Sequence, residues 1–357
     1  MKRFSFPLVL LVVGCAAVNR SRIDNRHLVP GTLIEEQSHT TALLQAVSTV
    51  DDSVVWVSGH RATWVSSVDG GRSWISGAMT GADSALEFRD VHAVSASTAY
   101  LLAAGPGEQS RIYKTIDAGR SWQLQFMNRD SAAFYDCFGF WDATHGIAVS
   151  DAVNGKMIVI GTDDGEHWSS VADNGMPPAL PGEGSPAAGG TCLVVRDRGR
   201  AWFGTEPHAR VYRSQDRGRH WAAVSTPIVT GEASGVATLA FHDERHGMAL
   251  GGRLLKGDDR SDSVAAVTSD GGATWTLVSR PPFSGAVYGA AVVPGTGSYV
   301  VVAGPKGLAW TGNDGRTWTS LSDSAYWAVD CSQRGVCWAA GPGGRITRVT
   351  FAANGQK

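Results

Sequence analysis

The sequence predicts a seven-bladed β-propeller built from four-stranded antiparallel blades, and three observations predict this fold class. An eight-residue phrase returns six times along the 357 residues. The tryptophans that close these phrases lie 48, 46, 53, 54 and 43 residues apart, which is the length of one four-stranded blade with its loops. Strand-like segments at the two chain ends complete one further unit. The 44 glycines and the short apolar alternations are typical of many short strands joined by tight turns.

The repeated phrase, which we name the boxed turn, has a physical reason for its residue types. Its Asp can accept backbone N–H bonds, its Gly can adopt a positive φ, and its Ser or Thr hydroxyl can tie the other arm of the turn. Its Trp can bury a large apolar face against the neighbouring blade. The copies SVDGGRSW, TIDAGRSW, GTDDGEHW, SQDRGRHW, TSDGGATW and TGNDGRTW begin at residues 67, 115, 161, 214, 268 and 311.

These copies give the structural positions Asp69, Trp74, Asp117, Trp122, Asp163, Trp168, Asp216, Trp221, Asp270, Trp275 and Trp318. Two copies depart from the pattern, because Gly161 stands where a hydroxyl is expected and Asn313 replaces the Asp. We expect looser turns at these two places and no change of fold.

The seventh blade is predicted from the residues after the sixth boxed turn. Residues 326–330, 336–340 and 345–351 read as three strands with no further boxed turn. Residues 32–36 can supply the missing fourth strand and close the ring, which removes the open sheet edges that a β-protein must otherwise protect. We therefore predict a single propeller domain over residues 30–351 with a C-terminal tail at 352–357.

Residues 1–14 read as an export signal. Lys2 and Arg3 precede an apolar run that is too short to span a bilayer, and a small-residue box ends at Cys15. This box resembles a bacterial lipoprotein signal, which implies a lipid on Cys15, a tether over residues 15–29 and a place on the periplasmic side of the outer membrane. Ala16 lacks the charge of the inner-membrane retention signal. The alternative is an ordinary secretory signal with an incidental cysteine.

Charge and cysteine content narrow the function classes. Loss of Lys2 and Arg3 with the signal would change the formal charge from −2 to −4, so the chain offers no basic field for nucleic acid.

Cys331 and Cys337 flank a short turn, where facing strands can be bridged by a disulfide. Cys137 and Cys192 occupy equivalent places in neighbouring blades, as either a second disulfide or two buried thiols.

The boxed turns resemble the Asp-box, or bacterial neuraminidase repeat. The whole unit is similar to bacterial propellers related to the plant and cyanobacterial photosystem II stability and assembly factor, and residues 88–90, 140–142, 150–151 and 202–204 add to the likeness. The resemblance covers about residues 40–350. It implies a seven-bladed propeller that acts as a binding or assembly scaffold.

The predicted strand order separates two faces of the ring. The boxed turns and the short turns between first and second strands share one face, and the long connections collect on the other, where binding groups usually lie. The candidate residues for a central ligand or partner site on that face are Arg89, Asp90, Asp136, Asp151, Glu183, Glu206, His208 and Arg253. The alternative is that these side chains only cap strand ends and pair with one another in solvent.

Two functions remain open. The first is a non-catalytic, envelope-anchored scaffold that is monomeric and binds a partner protein, a polar small molecule or a glycan. The second is a glycoside hydrolase using two carboxylates such as Asp151 and Glu206. It is not a sialidase, because the chain lacks the Arg-Ile-Pro phrase of those enzymes. We expect no cofactor and no metal, since the His242 to His246 pair falls in a predicted turn and not on a helix.

Overall fold

The computed structural model describes residues 28–171 and 175–353. The predicted signal, Cys15 and the last residues of the tail lie outside this range. The described chain forms seven antiparallel sheets arranged as blades. Six have four strands each, and the last has three strands plus the two short N-terminal strands, which pair with different parts of the same outer edge. The predicted seven-bladed propeller is therefore confirmed.

Two short strands, β1 (Leu28–Pro30) and β2 (Ile34–Glu36), precede the first blade. Blade 1 contains β3 (Leu44–Thr49), β4 (Val55–Gly59), β5 (Thr63–Ser67) and β6 (Ile75–Ala78), and blade 2 contains β7 (Phe88–Ala93), β8 (Ala99–Ala103), β9 (Arg111–Thr115) and β10 (Gln123–Met127). Blade 3 contains β11 (Tyr135–Phe140), β12 (Gly146–Val153), β13 (Lys156–Thr162) and β14 (Ser169–Ser170), and blade 4 contains β15 (Leu193–Arg196), β16 (Arg200–Gly204), β17 (Arg210–Ser214) and β18 (Ala222–Ser225).

Blade 5 contains β19 (Ser234–Phe241), β20 (Gly247–Arg253), β21 (Ala265–Thr268) and β22 (Thr276–Leu277). Blade 6 contains β23 (Gly289–Val292), β24 (Val300–Gly304), β25 (Gly307–Thr311) and β26 (Thr319–Ser322), and blade 7 contains β27 (Ala328–Cys331), β28 (Val336–Ala340) and β29 (Ile346–Ala353). Single 3₁₀ turns lie at Gly81–Asp83, Gly107–Gln109 and Pro342–Gly344. The first strand of each blade contacts the first strand of the next, so these strands line the central axis.

The ring closes as the sequence predicts. Strand β2 pairs with β29 in the register Glu35 to Thr347, and β1 extends the same edge with Leu28 opposite Ala353. The seam between the last and first blades is also bonded directly, because the N–H and hydroxyl of Thr49 donate to Oδ2 of Asp330 at 2.8 and 2.7 Å. Both chain ends thus contribute to one blade, and β29 is left with no open edge along residues 346–348 and 351–353.

The boxed turns have the predicted geometry. In the first copy, the N–H of Gly71 donates to Oγ of Ser67 at 2.9 Å, and Asp69 accepts the N–H and hydroxyl of Ser73 at 2.9 and 2.6 Å. Equivalent acceptor bonds are made by Asp117, Asp216, Asp270 and Asn313. Asn313 accepts its backbone bond at the same 2.9 Å as Asp69, so its turn keeps this contact.

The third boxed turn corrects the sequence assignment. The hydroxyl that ties it belongs to Thr162 and not to position 161, and the acceptor is Asp164, which takes the N–H groups of Glu166 and His167 at 2.8 Å. Asp163, the residue expected in this role, makes none of these bonds. The turn is one residue shorter than the others, which moves the hydroxyl and the carboxylate one position along the chain.

The two neighbouring carboxylates of this turn provide a test with a built-in control. Asp164→Ala removes two backbone acceptor bonds and should lower the melting temperature by a few degrees, whereas Asp163→Ala changes an exposed side chain outside the turn and should leave it unchanged. Thermal unfolding followed by circular dichroism compares the two variants. Equal losses, or a larger loss for Asp163→Ala, would restore the original assignment.

In blades 2, 4 and 7, a large aromatic side chain on the second strand contacts the boxed turn of the next blade. Trp202 donates from Nε1 to the carbonyl of Gly271 at 2.9 Å, and the Tyr100 hydroxyl donates to the carbonyl of Gly165 at 2.9 Å. Gly71 has a φ of +84°, and a Cβ there would lie 2.5 Å from the ring of Trp338. The glycine of the boxed turn is therefore required twice, for its backbone conformation and for the ring that packs on it.

Both cysteine pairs form disulfides. Cys331 and Cys337 face each other across the β27–β28 turn with a Cα–Cα distance of 4.0 Å. Cys137 of β11 and Cys192, just before β15, are bridged over a Cα–Cα distance of 6.2 Å. The second bridge joins blades 3 and 4 near the axis, and the alternative of two buried thiols is not what the structure contains.

Candidate functional site

The strand directions fix two faces of the propeller. The boxed turns and the turns between first and second strands form one face, which we call the turn face. The connections from each blade to the next, together with those between second and third strands, form the other, which we call the loop face. Seven of the eight candidate residues of the sequence analysis belong to the loop-face half of the molecule. The eighth, Asp90, lies farther from that face, within β7.

The central channel is closed at the loop face by the chain itself. Residues 184–191, which we call the crossing segment, lie across the axis between blades 3 and 4. A Cβ on Gly189 would come within 2.8 Å of the Trp327 carbonyl and 3.1 Å of the Tyr288 carbonyl, and a Cβ on Gly190 would lie 2.3 Å from Oδ1 of Asp90. These partners belong to blades 7, 6 and 2, on different sides of the ring. The segment thus occupies the place where the sequence predicted a central pocket.

Three of the candidate carboxyl groups form a cluster beneath the crossing segment. Burial raises the pKa of Asp136, and the neighbouring Asp151 and Glu206 raise it further, while Arg89 acts in the opposite direction. Burial also raises the pKa of Asp151 to about 6, and that of Glu206 lies above its usual value because of burial and the nearby Asp151. Oδ1 of Asp151 accepts the N–H of Ser185 at 3.0 Å, which ties the cluster to the segment.

Local β-bulges lie at several positions in the loop-face half of the first strands. The pairing of β7 with β8 skips Arg89, the pairing of β11 with β12 skips Asp136, and the pairing of β3 with β4 skips Gln45. A bulge leaves one residue unpaired and re-aims its side chain. The buried Oε1 of Gln45 and Oδ2 of Asp136 have no hydrogen-bond partner. No pattern in the sequence marks these bulges, and Gln45 was not predicted as a site residue.

Glu183 has a structural role. Its carboxylate accepts bonds from the Thr205 hydroxyl at 2.7 Å, from Nε of Arg210 at 2.8 Å and from the N–H of Leu180 at 2.8 Å. Burial opposes ionisation of this buried group, but the bonds from Arg210 and Leu180 outweigh burial, and the pKa of Glu183 lies below its usual value. The network fixes the long loop before the crossing segment onto blade 4.

Among the remaining candidates, Arg89 lies close enough to act on the pKa of Asp136, whereas Asp90, His208 and Arg253 form separate contacts. Asp90 accepts the N–H groups of Phe138 and Val91 at 2.9 and 2.8 Å, so it ties β7 to β11. His208 contacts the carbonyl of Pro181 at 2.9 Å, and Arg253 lies 3.5 Å from Asp259. Arg89 pairs with Glu87 and approaches the Ala187 carbonyl of the crossing segment at 3.5 Å.

Within residues 28–171 and 175–353, no group of three or more His, Cys, Asp or Glu side chains is arranged to hold a metal ion. Across the same part of the chain, no helix has the length and apolar character needed to cross a membrane. The carboxyl cluster is therefore described as a set of buried acids and not as a metal centre.

A cleft on the turn face was missed by the sequence reasoning. A cavity of about 340 Å³ lies between blades 3 and 4, and its lining includes Arg217, Arg219, His145, His220 and Trp141. The two arginines belong to the fourth boxed turn, which the sequence analysis treated as purely structural. Their clustering with two histidines arises from the packing of neighbouring blades and has no signal in the local sequence.

Comparison with known proteins supports the fold. The sequence matches no protein-family model, and no curated protein matches it significantly. A structure of YCF48 bound to D1 peptide is similar with a TM-score of 0.65 at 16% identity, over 90% of this chain and 97% of that chain. YCF48 from Cyanidioschyzon merolae gives a TM-score of 0.65 at 12% identity, over 90% of this chain and 99% of that chain. The structure of U3-55K gives 0.61 at 12% identity, over 90% and 100% of the two chains. At these identities, the likeness shows that the chain shares the propeller fold.

Proposed function

We propose that the protein is a non-catalytic scaffold that binds an extended segment of a partner protein on its loop face. The observation that carries this proposal is the network of backbone hydrogen bonds that joins the long connections of that face. Long connections on a scaffold bind well when they are held in one conformation before the partner arrives, because less conformational entropy is then lost.

Backbone hydrogen bonds join the long connections of neighbouring blades into one platform. Gly231 donates to the Pro207 carbonyl at 2.9 Å, Leu254 donates to Ala233 at 2.8 Å, and Gly285 donates to Asp259 at 2.8 Å. The crossing segment joins the same platform, because Gly184 and Glu206 exchange two backbone bonds of 2.9 Å. The platform therefore runs without interruption from blade 3 to blade 6.

The platform presents groups that suit a peptide. Leu255 is 85% exposed and Leu180 is 40% exposed, which are unusual values for large apolar side chains. Arg253 ends the strand that precedes Leu255, and His208 contacts the carbonyl of Pro181, which follows Leu180. An apolar contact with polar groups around it is the usual composition of a protein-binding surface.

The structural comparison supports the same conclusion. The similar YCF48 structure holds a D1 peptide, which shows that a propeller of this shape can bind a segment of another protein. The resemblance of the boxed turns and blades to the photosystem II stability and assembly factor points to the same class of role. A segment of a partner protein is thus the occupant that we propose for this chain.

We also propose that the protein is exported and anchored to the envelope through Cys15. Strand β1 begins opposite Ala353, at the turn-face end of blade 7. Residues 15–28 reach at most about 45 Å when extended, so a lipid on Cys15 would hold the turn face toward the membrane and leave the loop face open to partners. Cys15→Ser should abolish lipid labelling of the mature protein, and unchanged labelling would contradict the anchor.

A glycoside hydrolase is the weaker candidate. A carboxyl group with a raised pKa, as at Asp151, is what a general acid needs. However, Gly184 lies so close that a Cβ there would be 2.0 Å from Oδ1 of Asp151, and Ser185 already bonds to the same oxygen. A sugar ring would have to displace the crossing segment to reach this carboxyl group.

The binding proposal is tested by panning a phage-displayed library of random linear peptides against the purified protein. The loop-face variant combines Leu255→Asp with Arg253→Glu, and the matched turn-face control combines Ile116→Asp with Arg120→Glu. Ile116 is 71% exposed, so the two variants add the same charges at comparably open sites. We expect enriched peptides to bind the control like the unmodified protein and to bind the loop-face variant at least about tenfold more weakly.

Two results would overturn the proposal. One is a library that yields no peptide with saturable binding. The other is a set of peptides whose binding survives in the loop-face variant but is lost in Arg219→Glu, because that would move the partner site to the cleft on the turn face.

A further inference from the structure

On the turn-face side of the crossing segment, the central channel widens into a cavity of about 490 Å³, which we call the channel cavity. Its wall contains the ends of the first strands of blades 1, 4, 5, 6 and 7, and Thr191, the last residue of the crossing segment, belongs to the lining. The volume is in the range of small-molecule sites. The cavity is independent of the platform proposed for peptide binding, since the crossing segment separates the two.

The channel cavity contains one cation without an anionic partner. Arg196, at the end of β15, donates from Nη2 to the Phe241 carbonyl, and it forms no ion pair with a carboxylate of the described residues. Burial lowers the pKa of this guanidinium, while Asp197, Asp243 and Asp330 act in the opposite direction from a distance. A partly buried cation held only by a carbonyl is costly, and buried charges in proteins are normally paired.

A carboxyl group lies in the same lining. Asp330, at the end of β27, is held by two donors from Thr49 on its Oδ2 atom. Hydroxyl groups and apolar side chains complete the wall. The Thr191 hydroxyl lies 2.7 Å from the Thr238 hydroxyl, and Val194 and Leu239 contribute aliphatic side chains. Burial raises the pKa of Asp330, while the bonds from Thr49 and the charge of Arg196 lower it. The cavity therefore offers a guanidinium, a carboxyl group whose ionised form a nearby cation stabilises, and an apolar surface within one small volume. At its rim, Nε2 of His242 lies 3.2 Å from Oδ1 of Asp314.

From this arrangement we propose that the channel cavity binds a small zwitterion, namely a free α-amino acid or a dipeptide with an apolar side chain. The ligand carboxylate would take the place of the missing anion at Arg196, whose planar guanidinium suits a carboxylate. The ligand ammonium group would approach Asp330, and the apolar side chain would lie against Val194 and Leu239. A simple anion would leave Asp330 facing a like charge, and a simple cation would leave Arg196 unpaired.

The test measures binding of the twenty amino acids and a set of apolar dipeptides by isothermal titration calorimetry, with the full chain. N-acetylated and C-amidated derivatives of the best ligand remove one charge at a time. We expect saturable binding of the zwitterion and at least tenfold weaker binding of each derivative. Arg196→Gln should reduce the affinity by at least tenfold, while Arg129→Gln, at a side chain that is 70% exposed outside the channel, should leave it unchanged.

A second variant keeps the test decisive where Arg196→Gln affects folding. Val292→Trp adds bulk to the lining while leaving both charged groups in place, so it should abolish binding. Melting temperatures of all variants show whether the fold is kept. Three results overturn the proposal: no saturable binding by any ligand of the panel, binding of the acetylated or amidated derivative as tight as that of the zwitterion, or full affinity in either Arg196→Gln or Val292→Trp. Peptide panning tests the loop face and calorimetry tests the channel cavity, so the peptide-binding proposal and the zwitterion proposal can each fail without the other.

Discussion

Removal of strands β1 and β2 will lower the melting temperature of the propeller by about 10 °C. These strands form six residue pairs with β29, three in each strand, and each backbone hydrogen bond contributes about 1 kcal/mol net. The loss is about 5 kcal/mol, which corresponds to a shift of this size for a domain of a few hundred residues. The truncated blade 7 would retain only β27, β28 and β29.

The effect extends beyond the lost pairs, because blade 7 joins the two ends of the ring. Its inner strand holds blade 1 through Asp330 and Thr49, and Trp338 packs against Trp74 with ring centroids 5.5 Å apart. Glu36 of β2 also pairs with Arg348 at 3.2 Å. Loss of the outer strand leaves β29 as an unpaired edge that can associate with a second copy.

The measurement compares two N-terminal truncations. A chain beginning at residue 37 lacks both strands, and a chain beginning at residue 28 keeps them and serves as the control. Thermal unfolding by circular dichroism should separate the two, and size-exclusion chromatography should show self-association for the shorter chain. Equal melting temperatures would mean that the ring does not depend on closure by the N-terminal segment.

The fold could be predicted from the sequence because the boxed turn carries its own local chemistry. A hydroxyl, a carboxylate, a glycine and a tryptophan within eight residues define a turn that needs no distant partner. The prediction failed in the third copy, where Asp163 and Asp164 stand side by side. Both fit the pattern, and only the hydroxyl of Thr162 decides between them. The segment at residues 32–36 was correctly assigned to the last blade because seven blades need a closing strand.

The candidate site was predicted less completely, for a physical reason. The position of the crossing segment depends on contacts of Gly189 and Gly190 with blades that are distant in sequence, and glycines in a long loop give no indication of such contacts. The bulges at Arg89 and Asp136 are likewise set by pairing with the second strand. Charges at strand ends were therefore recognised as a group, while their division into a buried cluster, a structural network around Glu183 and separate surface pairs required the three-dimensional structure.

The second large effect concerns the buried carboxyl cluster, where Asp151→Asn is expected to stabilise the protein at neutral pH. The pKa of Asp151 is about 6 in the folded protein because of burial, against an ordinary value of 3.8. The folded state therefore binds a proton more tightly than the unfolded chain, and this contribution to stability is lost as the pH rises from about 4 to about 6. The difference corresponds to about 3 kcal/mol at pH 7.5.

Asparagine removes this cost and keeps the oxygen that accepts the N–H of Ser185. The melting temperature of the variant should exceed that of the unmodified protein by about 5 °C at pH 7.5, and the difference should vanish below about pH 3, where Asp151 is protonated in both states. Asp69→Asn on the turn face is the control, because the pKa shift of Asp69 has the opposite sign to that of Asp151. Hydrogen bonds from Ser73 hold the pKa of Asp69 at about 2, so its charge is favoured in the folded state and neutralisation should not stabilise the protein.

The pH dependence separates the electrostatic explanation from a simple packing effect. A packing effect of the amide would raise the melting temperature equally at pH 3 and pH 7.5, whereas relief of a buried charge acts only above about pH 3. Glu206 and Asp136 have raised pKa values for the same reason, so neutralising Asp151 also removes a repulsion that both of them experience. A gain that is independent of pH, or a loss of stability at pH 7.5, would show that the buried charge of Asp151 does not destabilise the folded protein. The position of the crossing segment above three acids would then need another explanation.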